Sequence, residues 1–430
     1  MSGLYGRADR RTDCSMSPDS RPSTDRTRRQ LLSGGGAALA VSLSTLTAGC
    51  LSSLPPLGGD QRYGRVGVPP AGDPGYRKWL PAPSSVDSSA DPYHFAALGS
   101  TALRPEAPEK FVSYQAHARA ALDYFGIGFE NYDRLVASNF GTVVEASYDR
   151  AAVTRTVADT RYERDGDYRG YATFVRSDVP RRVAIGDDAI VWTSAYQHDA
   201  PNLEALVDAG AGERQRYHEA NAAFDRLTAA AGSNPYLGVN TGVRDPTDRP
   251  VLLADAIRFD DDTAYQVVHY HYADGRAPTS AALEAALRED DYRFVDGADE
   301  FDVRVDGRVA TVETQVPLRS GRELAPEYDL PQVTWGATYD PEADAVTFRH
   351  EAGESVPADR LYYDLDRPSA PGKIETRDLW TGTREVAAGA ETTVDLSDDP
   401  EATGVSLVYS TGGVGFHVLF GRDVRGGTDG

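Results

Sequence analysis

The sequence predicts an α+β fold: one or two split β-α-β-type units, followed by a C-terminal antiparallel β-sandwich of Ig-like kind. Two observations carry this. Between residues 104 and 325, segments of helical period interleave with short alternating segments. From about residue 326, only short alternating segments occur, separated by Gly, Pro and Asp turns. A chain of 430 residues accommodates two or three domains.

The elements follow in order. Residues 51–103 are rich in Pro, Gly, Ser and Asp and show no period, so they read as a tether whose Trp79 and Leu80 tack onto the next domain. An α+β domain is expected over 104–245. Phe111, Ala118, Leu122 and Phe125 share one helix face that ends at Gly126. "GTVVEAS" is a strand, and Asp149 caps a helix that turns Val153 and Val157 inward. Hairpins are predicted around Asp165-Gly166 and at Gly186-Asp187-Asp188. Asn202 caps a helix closed by Gly210. A further helix, with Tyr217, Ala220, Phe224 and Leu227 inward, ends at Gly232.

A second α+β unit spans 250–325. "AIRFDDDTAYQVVHYHY" is a hairpin, Leu283 and Leu287 mark a helix, and "YRFVDGADEFDVRVDGRVATVET" supplies three short strands. Its order of helix, tyrosine, strand, Asp/Gly turn and paired strands repeats that of the first unit, which makes an internal duplication one reading. Over 326–430, Val333, Trp335, Ala337 and Tyr339 share a face, as do Val346 and Phe348. In the last strand Val414, Phe416, Val418 and Phe420 alternate with Gly415, His417 and Leu419.

The first 50 residues read as an export signal rather than a fold element. Arg21, Arg26, Arg28 and Arg29 precede an apolar run, Leu31 to Leu46, broken by Ser and Gly. It is too short and too interrupted for a spanning helix of about 20 apolar residues. The pair Arg28-Arg29 resembles a twin-arginine signal, and Thr47-Ala48-Gly49-Cys50 resembles a lipobox. These resemblances imply export, cleavage before Cys50 and a covalent lipid on that thiol, with the protein held on the outer face of the cell membrane. An uncleaved anchor is the alternative and leaves it on the same side. The one other cysteine is Cys14, in the leader, so no disulfide framework is expected.

Net charge is −22, and only Lys78, Lys110 and Lys373 are lysines among 44 basic residues. Residues 1–49 hold seven Arg and four Asp, so the rest of the chain carries −25. An acid-rich, lysine-poor surface resembles proteins of extremely halophilic archaea and implies a fold that depends on screening by salt. It excludes nucleic acid as a partner, since that binding needs clustered Lys and Arg. The partners expected are the membrane, through the lipid, and an envelope protein or glycan. The chain also resembles uncharacterised haloarchaeal surface proteins. Residues 331–365, "PQVTWGATYDPEADAVTFRHEAGESVPADRLYYDL", resemble the C-terminal β-domain of archaeal type IV pilin-like proteins, with Ala352 where that turn has a glycine. This implies an extracellular β-module.

Candidate chemistry is sparse. His269 and His271 in "VHYHY" fall on one face of a strand and are the candidate metal ligands, with a carboxylate as third ligand. The alternative is a half-exposed aromatic strand. "GIGFEN" at Gly126 is an incomplete glycine fingerprint and reads as a turn. "DGADEFD" and "DPEAD" gather carboxylates in turns without the spacing of a calcium loop. There is no Gly-x-Ser-x-Gly, phosphate-binding loop or His-Glu-x-x-His, so no catalytic residue is assigned. No cofactor is expected beyond the lipid on Cys50. The 23 tyrosines, against 13 phenylalanines, suit either a recognition surface or strands facing brine. The expected function is a non-catalytic surface lipoprotein with a binding or envelope-structural role. An extracellular hydrolase or metal-dependent enzyme, or a solute-binding lipoprotein, is the alternative. A deep pocket with convergent titratable groups would favour the enzyme, and a shallow tyrosine-lined surface the binder.

Overall fold

The computed structural model describes residues 68–425, apart from 87–89, 100, 102, 103, 105, 261, 262, 290–299, 317, 319–327, 370–374 and 412–415. The fold is α+β. Its frame is a 12-stranded sheet in the order β11-β12-β10-β9-β8-β1-β2-β3-β7-β6-β5-β4. The strands are β1 His94–Leu98, β2 Arg134–Ser138, β3 Gly141–Glu145, β4 Glu163–Tyr168, β5 Tyr171–Val175 and β6 Arg181–Ile185. The others are β7 Ala189–Ser194, β8 Tyr236–Arg244, β9 Pro250–Phe259, β10 Ala264–Tyr272, β11 Phe301–Asp306 and β12 Val309–Val316. Every pairing in it is antiparallel. Two helical connections join strands that run parallel with others between them. Helix α2 (Arg150–Ala158) links β3 to β4, and helix α6 (Ser280–Glu289) links β10 to β11 with β12 between.

The sheet corrects two expectations about organisation. The described part of the expected tether, from residue 68 on, is folded into the body. Two 3-10 helices, Gly75–Trp79 and Pro83–Ser85, lead into β1, which is hydrogen-bonded between β8 and β2 near the middle of the sheet. Tyr76, Trp79, Leu80, Tyr93 and Phe95 are all buried. Trp79 and Leu80 tack on as expected, whereas prolines and glycines hid the rest, and β1 (HFAAL), buried on both faces, shows no alternation to read. The expected break near residue 245 is likewise a hairpin: β8 and β9 pair directly, and buried Asp245 tightens their turn by accepting from the Thr247 and Arg249 amides at 3.0 and 2.9 Å.

Layers cover both faces of the sheet. Phe95 and Ala97 of β1 point to a core closed by the 3-10 segment, by α3 (Leu203–Ala211) and by α5 (Ala222–Ala231). Ala96 and Leu98 point to the opposite core, closed by α1 (Glu109–Ala121), α2 and the C-terminal strands. At the far end Leu283 and Leu287 of α6 pack on Val268, Tyr270 and Tyr272 of β10.

Local details differ where tertiary packing outweighs the local signal. The first hairpin turns at Arg169-Gly170, whereas Gly166, with φ +107°, makes a bulge in β4. Helix α3 closes at Gly212, which is left-handed. Gly210 stands inside it because a Cβ there would lie 2.1 Å from the Trp79 ring. The helix expected over 217–231 is two, α4 (Tyr217–Ala220) and α5, because Asn221 leaves helical geometry to cap α5 through the Ala223 and Phe224 amides. Among the described residues eleven tyrosines are buried, so much of the tyrosine excess serves the core.

The C-terminal region is made of small antiparallel sheets. One is β13 (Val333–Asp340), β14 (Ala345–Gly353) and β19 (Glu391–Asp395). Another, in the order β17-β16-β20-β21, contains β17 Arg377–Asp378, β16 Leu361–Asp366, β20 Gly404–Ser410 and β21 Phe416–Asp423. A third pairs β15 (Val356–Pro357) with β18 (Glu385–Val386). Phe416 is exposed and Leu419 and Phe420 are buried, because the β20–β21 register shifts at Leu407/Val408 and breaks the expected alternation.

This region is bolted to the large sheet by buried ions. The fully buried Arg176 guanidinium donates to Asp178 and, at 2.9 Å, to Glu351 of β14. Arg349 of the same strand lies 3.3 Å from Asp178. Next to them Arg181 meets Asp123 at 2.5 Å, and Asp123 also accepts from Tyr162 Oη and Trp192 Nε1 at 2.8 and 3.2 Å.

Candidate functional site

A cavity of about 140 Å³ lies where the large sheet, α1 and β21 meet. Each element contributes by its periodicity. The strands β1, β2, β3 and β7 turn His94, Ala96, Leu135, Ala137, Thr142 and Trp192 to one face. Tyr114, His117, Ala118 and Ala121 line it from α1, at helical spacing. His417 and Leu419 come from β21, and His198 from the turn after β7. The lining is mainly apolar, yet four of the chain's eight histidines reach it.

Hydrogen bonds fix most of these rings. His198 Nδ1 lies 3.1 Å from both the amide and the carbonyl oxygen of Ser194, and its Nε2 is 3.1 Å from Thr142 Oγ1. Burial pushes His198 down to about 4, so it is neutral at pH 7. Asn139 Oδ1 accepts from the His94 amide at 2.7 Å, which turns its Nδ2 toward His94 Nδ1 at 3.1 Å. His94 therefore carries its proton on Nε2, facing Asp199 at 3.7 Å. Its pKa is lowered by burial, with Asp199 opposing. His117 Nδ1 lies 2.6 Å from the Ser113 carbonyl oxygen and must donate to it, and burial lowers this pKa as well. The His117 and His417 rings meet edge to face, 5.2 Å between centroids.

The serine hydroxyls around the cavity are not set up as nucleophiles. Ser138 Oγ donates to the Gly141 carbonyl at 3.3 Å. Ser113 Oγ is 3.4 Å from His117 Nδ1, but that nitrogen already carries a proton. A hydroxyl is activated only when a base with a free lone pair faces it, and these two lack one. Thr142 Oγ1 faces His198 Nε2 at 3.1 Å.

His269 and His271 lie elsewhere, on β10, buried beneath α5. His269 Nδ1 is 3.2 Å from Thr311 Oγ1, and Nε2 of both rings has no hydrogen-bond partner. Burial, with Arg258 and Arg304 nearby, pushes His269 down to about 4, and burial, with Arg308 and Arg226, lowers His271. Four arginines therefore stand near the pair, and the one carboxylate felt there, Asp274, acts on His271. Among the described residues no group of three His, Cys, Asp or Glu side chains is placed to hold a metal. Cys50, Arg28 and Arg29 lie outside the described residues.

The other candidate turns have structural partners. Asp340 of "DPEAD" accepts from the Glu342 and Ala343 amides at 2.9 and 3.2 Å, and Asp344 pairs with Arg425. "DGADEFD" falls largely outside the described residues. "GIGFEN" follows α1 as a turn and a 3-10 helix, Phe129–Asn131. Sequence reasoning missed the four-histidine cavity. Its residues are spread from 94 to 417, and the only signal was a His or Ser/Thr on the apolar face of several separate elements.

No protein-family model matches the sequence, and no curated protein matches it. Among solved structures, crystal form III of TP0453 is 7% identical, with 55% of this chain covering 94% of that chain at a TM-score of 0.33. Crystal form I of TP0453 is 9% identical, with 58% and 95% covered, at a TM-score of 0.32.

Proposed function

We propose that the chain is an exported surface lipoprotein, anchored through a lipid on Cys50, whose body binds a small, mainly apolar ligand without transforming it. The observation that carries the binding reading is the cavity: mainly apolar walls, burial that lowers the pKa of His94, His117 and His198, and serine hydroxyls that face no free base. Its volume is close to that of an engineered cavity of about 150 Å³ that binds benzene. The four convergent histidines are the feature an enzyme reading would use. The partners that hold Nδ1 of His94 and His117, Asn139 and the Ser113 carbonyl, argue against it. The Arg28-Arg29 pair and the small residues before Cys50 support export and lipidation. We also read the C-terminal region as an Ig-like β-sandwich. Its three- and four-stranded sheets share a core in which Phe348 and Phe420 meet edge to face at 6.4 Å, which supports that reading.

The test has two parts. Small apolar compounds should raise the thermal midpoint of the protein in high salt, and Ala137→Phe, which fills the cavity, should abolish the effect. A wild-type midpoint unmoved by any compound would end the binding reading. For localisation, Arg28 and Arg29 changed to Lys should leave a folded precursor inside the cell, while Cys50→Ser should be exported without lipid. Fractionation that finds the wild type wholly in the cytoplasm would overturn the anchored reading.

A further inference from the structure

We infer that His117 selects the ligand: a neutral, benzene-sized apolar body bearing one hydroxyl or N–H donor, in preference to a hydrocarbon or a carboxylate. This rests on the cavity-binding reading. The ring nitrogens of His198, His94 and His117 are occupied differently. His198 has a partner at each of its own, the Ser194 backbone at Nδ1 and Thr142 Oγ1 at Nε2. His94 accepts from Asn139 on Nδ1 and directs its N–H toward Asp199. Gln197 donates to the Ala121 carbonyl at 2.8 Å. His117 differs. Its Nδ1–H is held by the Ser113 carbonyl of its own helix, one turn back, at 2.6 Å. The neutral ring then has an unprotonated Nε2, and the ring lines the cavity, so we assign that nitrogen to the ligand.

An unprotonated imidazole nitrogen beside apolar walls is an acceptor and nothing else. A bound hydroxyl or N–H would satisfy it, while a hydrocarbon would leave it unpaired and desolvated. A carboxylate would set a second acceptor against it and bring a charge into a site with no free cation among the described lining residues. Sites built to hydrogen-bond one polar group discriminate strongly against analogues that lack it. The Nδ1–H bond matters equally, because it fixes the tautomer and keeps Nε2 an acceptor.

The experiment compares phenol, toluene and benzoate, three probes of one size, by calorimetric titration of the full chain in high salt. Phenol should bind at least tenfold more tightly than toluene, and benzoate more weakly than either. His117→Leu should bring phenol down to the level of toluene, and His117→Gln, which keeps an acceptor, should restore part of the difference. Equal binding of phenol and toluene to the wild type would overturn the inference while leaving the cavity as a binding site. Benzoate binding most tightly would overturn it too, as would a phenol preference that survives His117→Leu. Binding of none of the three would remove the cavity reading and this inference with it.

Discussion

His198 and His269 sit in opposite parts of the molecule, yet burial pushes both down to about 4. His94, His117, His218, His271 and His350 are lowered by burial as well. A histidine whose folded pKa lies below its unfolded value stabilises the fold fully above about pH 6.5. As pH falls from there toward 4, the unfolded chain takes the proton first and that contribution is lost. For His198 and His269 the loss is on the order of 3 kcal/mol each. The expected outcome is a thermal midpoint that falls steeply between pH 6.5 and 4.5, above the range where most carboxylates titrate. His198→Gln should flatten that slope by about one proton's worth, which chemical denaturation at several pH values would measure. A midpoint level across this window would contradict the burial assigned to these rings.

At the scale of elements, β1 and the ionic bolt do most to join the parts. β1 is hydrogen-bonded to β8 on one side and β2 on the other. A chain beginning at residue 104 would lose that strand together with Tyr76, Trp79 and Phe95, and should fail to fold cooperatively, as circular dichroism and a lost unfolding transition would show. Asp178→Ala would leave Glu351 as the one carboxylate facing both Arg176 and Arg349 in a buried site and should cost about 3–5 kcal/mol. Removing Asp167 from its exposed pair with Arg164 should cost under about 1 kcal/mol. Denaturation midpoints of the two variants test the contrast. The same elements show what the sequence could say. Helix α2 was legible because Asp149 caps it and Val153 and Val157 mark one face, and the turn between β6 and β7 because Gly186 and two aspartates punctuate it. β1 and β2 were missed, since short strands covered on both faces show no alternation and sit in loops rich in other signals. His269 and His271 were legible as a same-face pair, but their arginine surroundings arise from other strands and from α5. The cavity needed contacts between residues more than 300 positions apart, which no local pattern records.

The whole molecule is defined electrically by 66 acidic against 44 basic residues. Many arginines are already committed: Arg176, Arg181 and Arg349 are buried with carboxylates, and Arg367, Arg377 and Arg425 pair at the C-terminal surface. The acidic excess must therefore lie mostly on the surface, where carboxylates repel one another over distances set by salt. That range is about 3 Å at 1 M and about 10 Å at 0.1 M. We expect the folded protein to loosen or unfold as salt is dialysed from about 3 M toward 0.1 M, with most of the loss below about 1 M. Circular dichroism along the series checks it, and a thermal midpoint unchanged over that range would sink the reading of a salt-dependent surface. A second measurement locates the effect. Buried pairs are screened much less than exposed ones, so the cost of Asp178→Ala should be nearly the same at 3 M and at 1 M salt while total stability falls. If the two fell together, the salt dependence would belong to the ionic bolt between the sheet and the C-terminal strands rather than to the surface as a whole.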